Sequence, residues 1–215
     1  EAIARMHRAQ GVDLRCGLAL QALEGGAHVE RARLSDGTTL EVDLVVVGIG
    51  VVPQVGWLAE SGVKIGNGVE CDAGCETNVP GVFAAGDVAS APNALFGETL
   101  RIEHWSNAVD QAQLVAAGLL GEAPASQAAL PYFWSDQYDL KLQFAGRVRP
   151  DDALIMIDGT LEDRAYVALF GREGMLRGVL ACNRPGPFIR FRRLISERAT
   201  LETAFGHANA KRSVF

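Results

Sequence analysis

The chain has 215 residues, 48% of them hydrophobic, and a formal net charge of −6, which is enough to bury a core in one large domain or two small ones. Its longest apolar run, residues 44–52, is broken by Gly48 and Gly50 and is far shorter than the ~20 residues of a membrane-spanning helix. A membrane-spanning reading is therefore excluded, and no secretory leader is visible.

The charge is uneven. Residues 1–130 carry 7 Lys+Arg against 16 Asp+Glu, whereas residues 131–215 carry 13 against 10. The second part is the basic one, which suits either an acidic partner or an ordinary solvated face. Of the cysteines, Cys16 and Cys182 stand alone and Cys71 and Cys75 form a C-x-x-x-C pair, a poor match to zinc or redox spacings. Sparse unpaired thiols favour a reducing cytoplasm.

In chain order, residues 1–10 read as the end of an amphipathic helix, with Ile3, Met6 and His7 on one side and Gly11 placed to cap it. Residues 12–14 begin a strand-like region. Residues 29–34 and 38–42 then flank Ser35-Asp36-Gly37, a hairpin signal. Residues 42–53 read as a buried strand running into a glycine loop, where Gly48, Ile49 and Gly50 would let the chain approach a ligand or simply turn between domains. Pro53 replaces the third glycine, so the G-x-G-x-x-G fingerprint is not met.

The run Thr77-Asn78-Val79-Pro80-Gly81-Val82-Phe83-Ala84-Ala85-Gly86-Asp87 is the most informative of the chain. Its apolar residues 82–85 have the composition of a strand buried in a parallel sheet, and ligands bind outside the carboxyl ends of such strands. Gly86 would let a flavin approach the backbone and Asp87 would accept from its ribityl hydroxyls; an ordinary strand-to-loop exit is the alternative. After a loop comes Arg101-Ile102-Glu103-His104-Trp105-Ser106-Asn107-Ala108 and a helix to about Leu120, stopped by Gly121, with Ser106 as its expected N-cap. Free N–H groups from Trp105 to Ala108 would favour the anionic edge of a reduced flavin.

Residues 123–129 read as a linker. Beyond it Leu140, Leu142 and Phe144 alternate, residues 153–157 are strand-like, and residues 164–170 pair with 175–180 across Gly171-Arg172-Glu173-Gly174. A helix near Pro187 would turn Phe188, Phe191, Leu194 and Ile195 to a core.

Taken in order with Phe133-Trp134-Ser135-Asp136-Gln137-Tyr138, the motifs Gly48-Ile49-Gly50-Val51-Val52-Pro53, Phe83-Ala84-Ala85-Gly86-Asp87 and Arg101–Ala108 resemble those of the NADH-dependent ferredoxin and rubredoxin reductases of oxygenase systems. The resemblance covers nearly the whole chain and corresponds to the C-terminal half of such an enzyme. It implies an α/β fold: partial FAD- and NAD-binding Rossmann-like domains (residues 1–50 and 51–125) and a small α+β C-terminal domain (126–215).

It also implies that Gly86 and Asp87 hold FAD, that the backbone around His104, Trp105 and Ala108 meets the flavin pyrimidine edge, and that Glu103 takes the nicotinamide carboxamide. Trp134 would lie between the isoalloxazine and the acceptor, with Gln137 near it, whereas without the resemblance Trp134 reads as a core aromatic. Gly48, Ile49 and Gly50 would border the nicotinamide.

The implied activity carries electrons from NADH through FAD to an acidic [2Fe-2S] ferredoxin or a rubredoxin. Both glycine-rich phosphate loops of that family are absent, so weak FAD binding and scarcely any NADH binding are expected of this chain alone. The C-terminal part has no His-Pro-Thr with a Glu partner, which favours direct electron transfer over disulfide chemistry. Two rivals are an apoptosis-inducing-factor-like flavoprotein acting through partner or nucleic-acid binding, for which no strong basic surface is evident, and a cofactor-free, non-enzymatic piece.

Overall fold

The computed structural model describes residues 2–122 and 129–209, which divide into two units between Val52 and Pro53. The expected linker at 123–129 and the domain border at 125/126 fall almost wholly outside the described residues.

The first unit opens with helix α1, Ala2–Ala9, whose last turn carries His7 and Arg8, a favourable place for cations. Gly11 stands at φ 84° where the chain leaves the helix, and Val12 N–H donates to the His7 carbonyl. Residues 12–14 are not a strand: Asp13 turns back to pair with Arg15. Strands β1 (Leu20–Glu24), β2 (Arg31–Leu34) and β3 (Thr39–Glu41) form an antiparallel meander in that order. The expected hairpin is β2–β3, closed by Asp36 Oδ1 accepting from Thr38 N–H at 2.9 Å, with Gly37 at φ 86°.

Residues 42–53 overturn their expectation. They form no strand, and most of their side chains face solvent, with Ile49 90% exposed and only Val42, Val45 and Pro53 half-buried. The physical reason is pairing: the unit's sheet ends at β3, and beyond the one bond from Val42 N–H to the Glu30 carbonyl no described strand of the unit continues the ladder along this run.

In the second unit, a short sheet runs in the order β4 (Ile65–Gly66), β5 (Gly68–Glu70), β6 (Ala89–Asn93), β7 (Glu98–Arg101). Only β5 and β6 are parallel. Residues 82–85 are not the expected parallel strand either. They make one isolated bridge, Phe83 to Glu76, with Thr77 N–H donating to the Val82 carbonyl and Ala84 N–H to the Cys75 carbonyl. Phe83 instead packs on helix α2, Trp105–Leu119, where a Cβ on Gly118 would come within 2.9 Å of the Phe83 ring.

The C-terminal part is an antiparallel sheet of β8 (Tyr132–Gln137), β9 (Leu140–Gly146), β10 (Ala153–Asp158), β11 (Tyr166–Arg172) and β12 (Met175–Cys182), in the order β10-β11-β12-β9-β8. Helices α3 (Pro185–Ser196) and α4 (Leu201–Asn209) follow. Pro185 pre-sets the first turn of α3, and the spacing of Phe188, Phe191, Leu194 and Ile195 lays one stripe against Val167, Leu169 and Val179. This is the core, and burial of each phenylalanine is worth about 1.5–3 kcal/mol. The alternating pattern at 140–144 and the pairing of β11 with β12 are as expected, whereas β1, β4, β5, β8 and α4 are additions, and the stretch read as a loop after Asp87 holds β6 and β7, which pair with each other.

Candidate functional site

Gly86 begins a 3-10 turn, Gly86–Val88, at φ 78°. Its N–H donates to Gln111 Oε1 at 2.8 Å, and Ala89 N–H closes the turn on the Gly86 carbonyl. A Cβ here would lie 3.5 Å from Cβ of Ala108, an ordinary contact, so the turn sits against the start of α2 and it is the left-handed φ that calls for glycine. Asp87, the acid of the motif, is thereby held beside a helix N-terminus, where partial positive charge collects.

His104, not Ser106, is the N-cap of α2, with extended backbone and no side-chain capping bond. Ser106 is drawn elsewhere: its hydroxyl donates to the Tyr132 carbonyl at 3.2 Å and ties α2 to β8. The first turn of the helix thus keeps uncapped N–H donors beside Trp105, whose indole is 78% exposed. Asn107 and Gln111 are buried on the same helix and face inward, Asn107 donating to the Ile102 carbonyl.

Arg101 gathers the rest. Its Nε donates to Asn67 Oδ1 at 3.0 Å, its Nη1 donates to the Asp87 carbonyl at 2.9 Å, and the same nitrogen pairs with the Glu103 carboxylate. The His104 ring lies 5.4 Å from that of Phe133, and its buried Nδ1 has no hydrogen-bond partner. Burial lowers the His104 pKa below the ordinary imidazole value, against the pull of Asp87 and Glu103. Arg101, Glu103, His104, Phe133 and Arg147 line a groove of about 450 Å³.

Of the residues expected to meet a cofactor, Gly86, Asp87, Glu103, His104, Trp105 and Ala108 come together here. Trp134 lies on β8, 45% exposed, and stacks on Tyr132 at 5.6 Å with Arg192 over the Tyr132 ring at 4.6 Å. Strand alternation puts it on the face opposite Phe133. Gln137 donates to Ser135 Oγ. Gly48, Ile49 and Gly50 belong to the first unit, where a Cβ at Gly48 or Gly50 would meet nothing within 4 Å, so no close approach within that unit demands those glycines.

The residues sequence reasoning missed are Arg101 as a hub, Gln111 as the anchor of the glycine turn, and Phe133. Gln111 had a signal in the amide pair Asn107/Gln111, four residues apart on an otherwise apolar helix face. Burial raises the thiols of Cys71 and Cys75, the latter to about 11 with Cys71 and Asp72 adding to it, so neither is primed as a nucleophile.

A glycine–acid turn seated on a helix N-terminus, followed by an antiparallel domain with its own helices, defines the class as a nucleotide-cofactor oxidoreductase fold with an appended C-terminal domain. Residues 1–112 match the family described as pyridine nucleotide-disulphide oxidoreductase, and residues 132–210 match the family described as reductase C-terminal. The chain belongs to the pyridine nucleotide-disulphide oxidoreductase family, and the resemblance and fold class read from its motifs are borne out.

It is 38% identical to the ferredoxin reductase subunit of a 5,5'-dehydrodivanillate O-demethylase from Sphingobium sp., covering 88% of this chain and 46% of that protein. Among solved structures, the covalent putidaredoxin reductase–putidaredoxin complex matches with a TM-score of 0.85 at 29% identity, covering 99% of this chain and 53% of that one. The ferredoxin reductase of the CYP199A2 system from Rhodopseudomonas palustris matches at 0.84 and 35%, covering 94% and 50%. The chain spans about half the length of the curated relatives it matches.

Proposed function

We propose that the chain serves flavin-dependent electron transfer from NADH to an acidic [2Fe-2S] ferredoxin or a rubredoxin in an oxygenase system within the reducing cytoplasm. In this reading residues 1–50 are NAD-domain, 51–125 FAD-domain and 126–215 the C-terminal domain. The observation that carries it is the seating of Gly86 and Asp87 on the first turn of α2, with an exposed indole, Trp105, at the same helix end.

These residues fit FAD: a left-handed glycine leaves the backbone open, an acid offers acceptors to ribityl hydroxyls, and uncapped N–H groups offer donors to an electron-rich ring edge. When bound, FAD would supply the conversion of a two-electron donor to one-electron steps. The chain's own residues bind and orient. Asp87 would accept from the ribityl chain, the N–H groups at Trp105 to Ala108 would meet the pyrimidine edge, and Glu103 would accept from the nicotinamide carboxamide. Trp134 would cover the isoalloxazine on the acceptor side. The basic C-terminal part and the column of Arg192, Tyr132 and Trp134 suit an acidic acceptor.

The test is visible absorbance of the purified chain titrated with FAD, followed by anaerobic NADH. Shifted flavin bands near about 450 nm that appear only at high FAD are expected, with little bleaching by NADH from this chain alone. Bands identical to free FAD at a large excess of protein would overturn the flavin assignment of Gly86, Asp87 and Trp105.

A further inference from the structure

We infer that Arg101 is a positioning residue that sets the Asp87 turn and the Glu103 carboxylate in one fixed relation, so that two ligand-facing groups from different segments present together. The inference deepens the flavin reading and rests on it for the identity of the ligand. Three segments converge on one guanidinium: Asn67 through Nε, the Asp87 carbonyl through Nη1, and the Glu103 carboxylate through the same nitrogen. The Arg101 side chain is 11% exposed while Asn67, Asp87 and Glu103 are exposed residues, so it is the three bonds acting together, and not exclusion of water, that fix the guanidinium.

The sequence makes room for this arrangement. Gly68, at φ 97°, lies under the arginine stem, and a Cβ there would stand 2.8 Å from Arg101 Cδ and 2.3 Å from the Val88 carbonyl oxygen. Any larger residue would push the stem away from the turn it holds. A planar fork can serve three acceptors in fixed directions, whereas a lysine ammonium on a flexible stem cannot hold all three at once. Arg101 engages one oxygen of Glu103, so a donor such as a carboxamide N–H would meet the other.

The turn has a built-in reporter, because Ala89 N–H closes it on the Gly86 carbonyl. The experiment compares wild type, Arg101→Gln and Arg101→Lys by amide hydrogen exchange and by FAD titration. In Arg101→Gln, exchange at Ala89 should quicken and FAD affinity should fall, each on the order of 10-fold, with Arg101→Lys restoring part of both. Amides of β12, remote from the arginine, should keep wild-type protection.

Unchanged exchange at Ala89 overturns the inference, as does a loss of protection that spreads equally to β12, since the arginine would then be merely structural. Local loosening with unchanged FAD affinity, in a wild type that binds FAD, also overturns it. Local loosening in a protein that binds no FAD leaves the positioning role standing and overturns the flavin reading instead.

Discussion

Val46 and Val179 both lie in runs rich in β-branched and aliphatic residues, yet Val46 is 87% exposed and Val179 is 0% exposed. Val179 sits in β12 between β11 and β9, and its neighbour β11 arrives through a tight turn at Glu173 and Gly174, both at positive φ. One ladder partner, β11, immediately precedes β12 in the chain, β9 supplies the other from further back, and α3 then covers the sheet. Val46 follows a three-stranded meander whose last strand pairs on one side only, and no other described strand of its unit reaches it. Apolar composition states what a segment can bury, whereas burial itself needs a ladder partner and a covering layer.

The widest gap between the two regions should appear in paired truncations. Phe188, in the core beneath β12 and 5.6 Å from Tyr132, should cost about 3–5 kcal/mol as Phe188→Ala, because the cavity adds to the lost burial. Val46→Ala should change stability by no more than about 0.5 kcal/mol. Urea unfolding of the two variants checks the pair. A large loss from Val46→Ala would show that residues 44–52 are buried in solution and would end the contrast.

Glycines sharpen the same comparison with a smaller effect. Gly146, at φ 122°, ends β9 with no room for a side chain, since a Cβ would lie 2.2 Å from the Arg177 carbonyl oxygen. Gly146→Ala should therefore cost at least about 2 kcal/mol through strain and overlap. Gly48→Ala, in open space and without positive φ, should be neutral or gain up to about 1 kcal/mol by restricting the unfolded chain. Thermal unfolding midpoints separate these outcomes. A stable Gly146→Ala would mean that the β9 terminus can shift to accommodate the methyl group.

The same physics marks what could be read in the sequence. The turn at Ser35-Asp36-Gly37, the inward stripe of α3 and the alternation along β9 were legible because each is settled by residues a few positions apart. The glycine–acid turn was legible as a motif, but not its seating, since its anchor Gln111 lies 25 residues on. Residues 42–53, read as a buried strand running into a glycine loop, and 82–85, read as a buried parallel strand, differ in the structure because their apolarity presumes neighbours that composition cannot place. Arg101 stood in plain view within the Arg-x-Glu run, yet its role depends on Asn67 and Asp87, 34 and 14 residues away. Helix α4 had a usable signal in Thr200, whose hydroxyl accepts from Thr203 N–H at 3.1 Å ahead of Glu202 in the first turn.

The smallest effect distinguishes the site from the core by pH. His104 is buried against Phe133 with an unpartnered Nδ1, and its folded pKa lies below the unfolded value of 6.5. Between the two values the unfolded chain binds a proton that the folded chain refuses, so stability is full above about pH 6.5 and declines as pH falls toward the folded pKa. The slope is bounded by that of one proton, about 1.4 kcal/mol per pH unit, and Asp87 and Glu103 reduce it by attracting the imidazolium. His104→Gln should flatten this part of the profile, whereas a core variant such as Phe188→Ala should lower the whole curve without changing its shape. Urea midpoints for the three proteins between pH 7.5 and about 5 make the comparison. Parallel profiles for wild type and His104→Gln would mean that the imidazole is open to water in the folded chain and that the groove beside Arg101 is wetter than its lining implies.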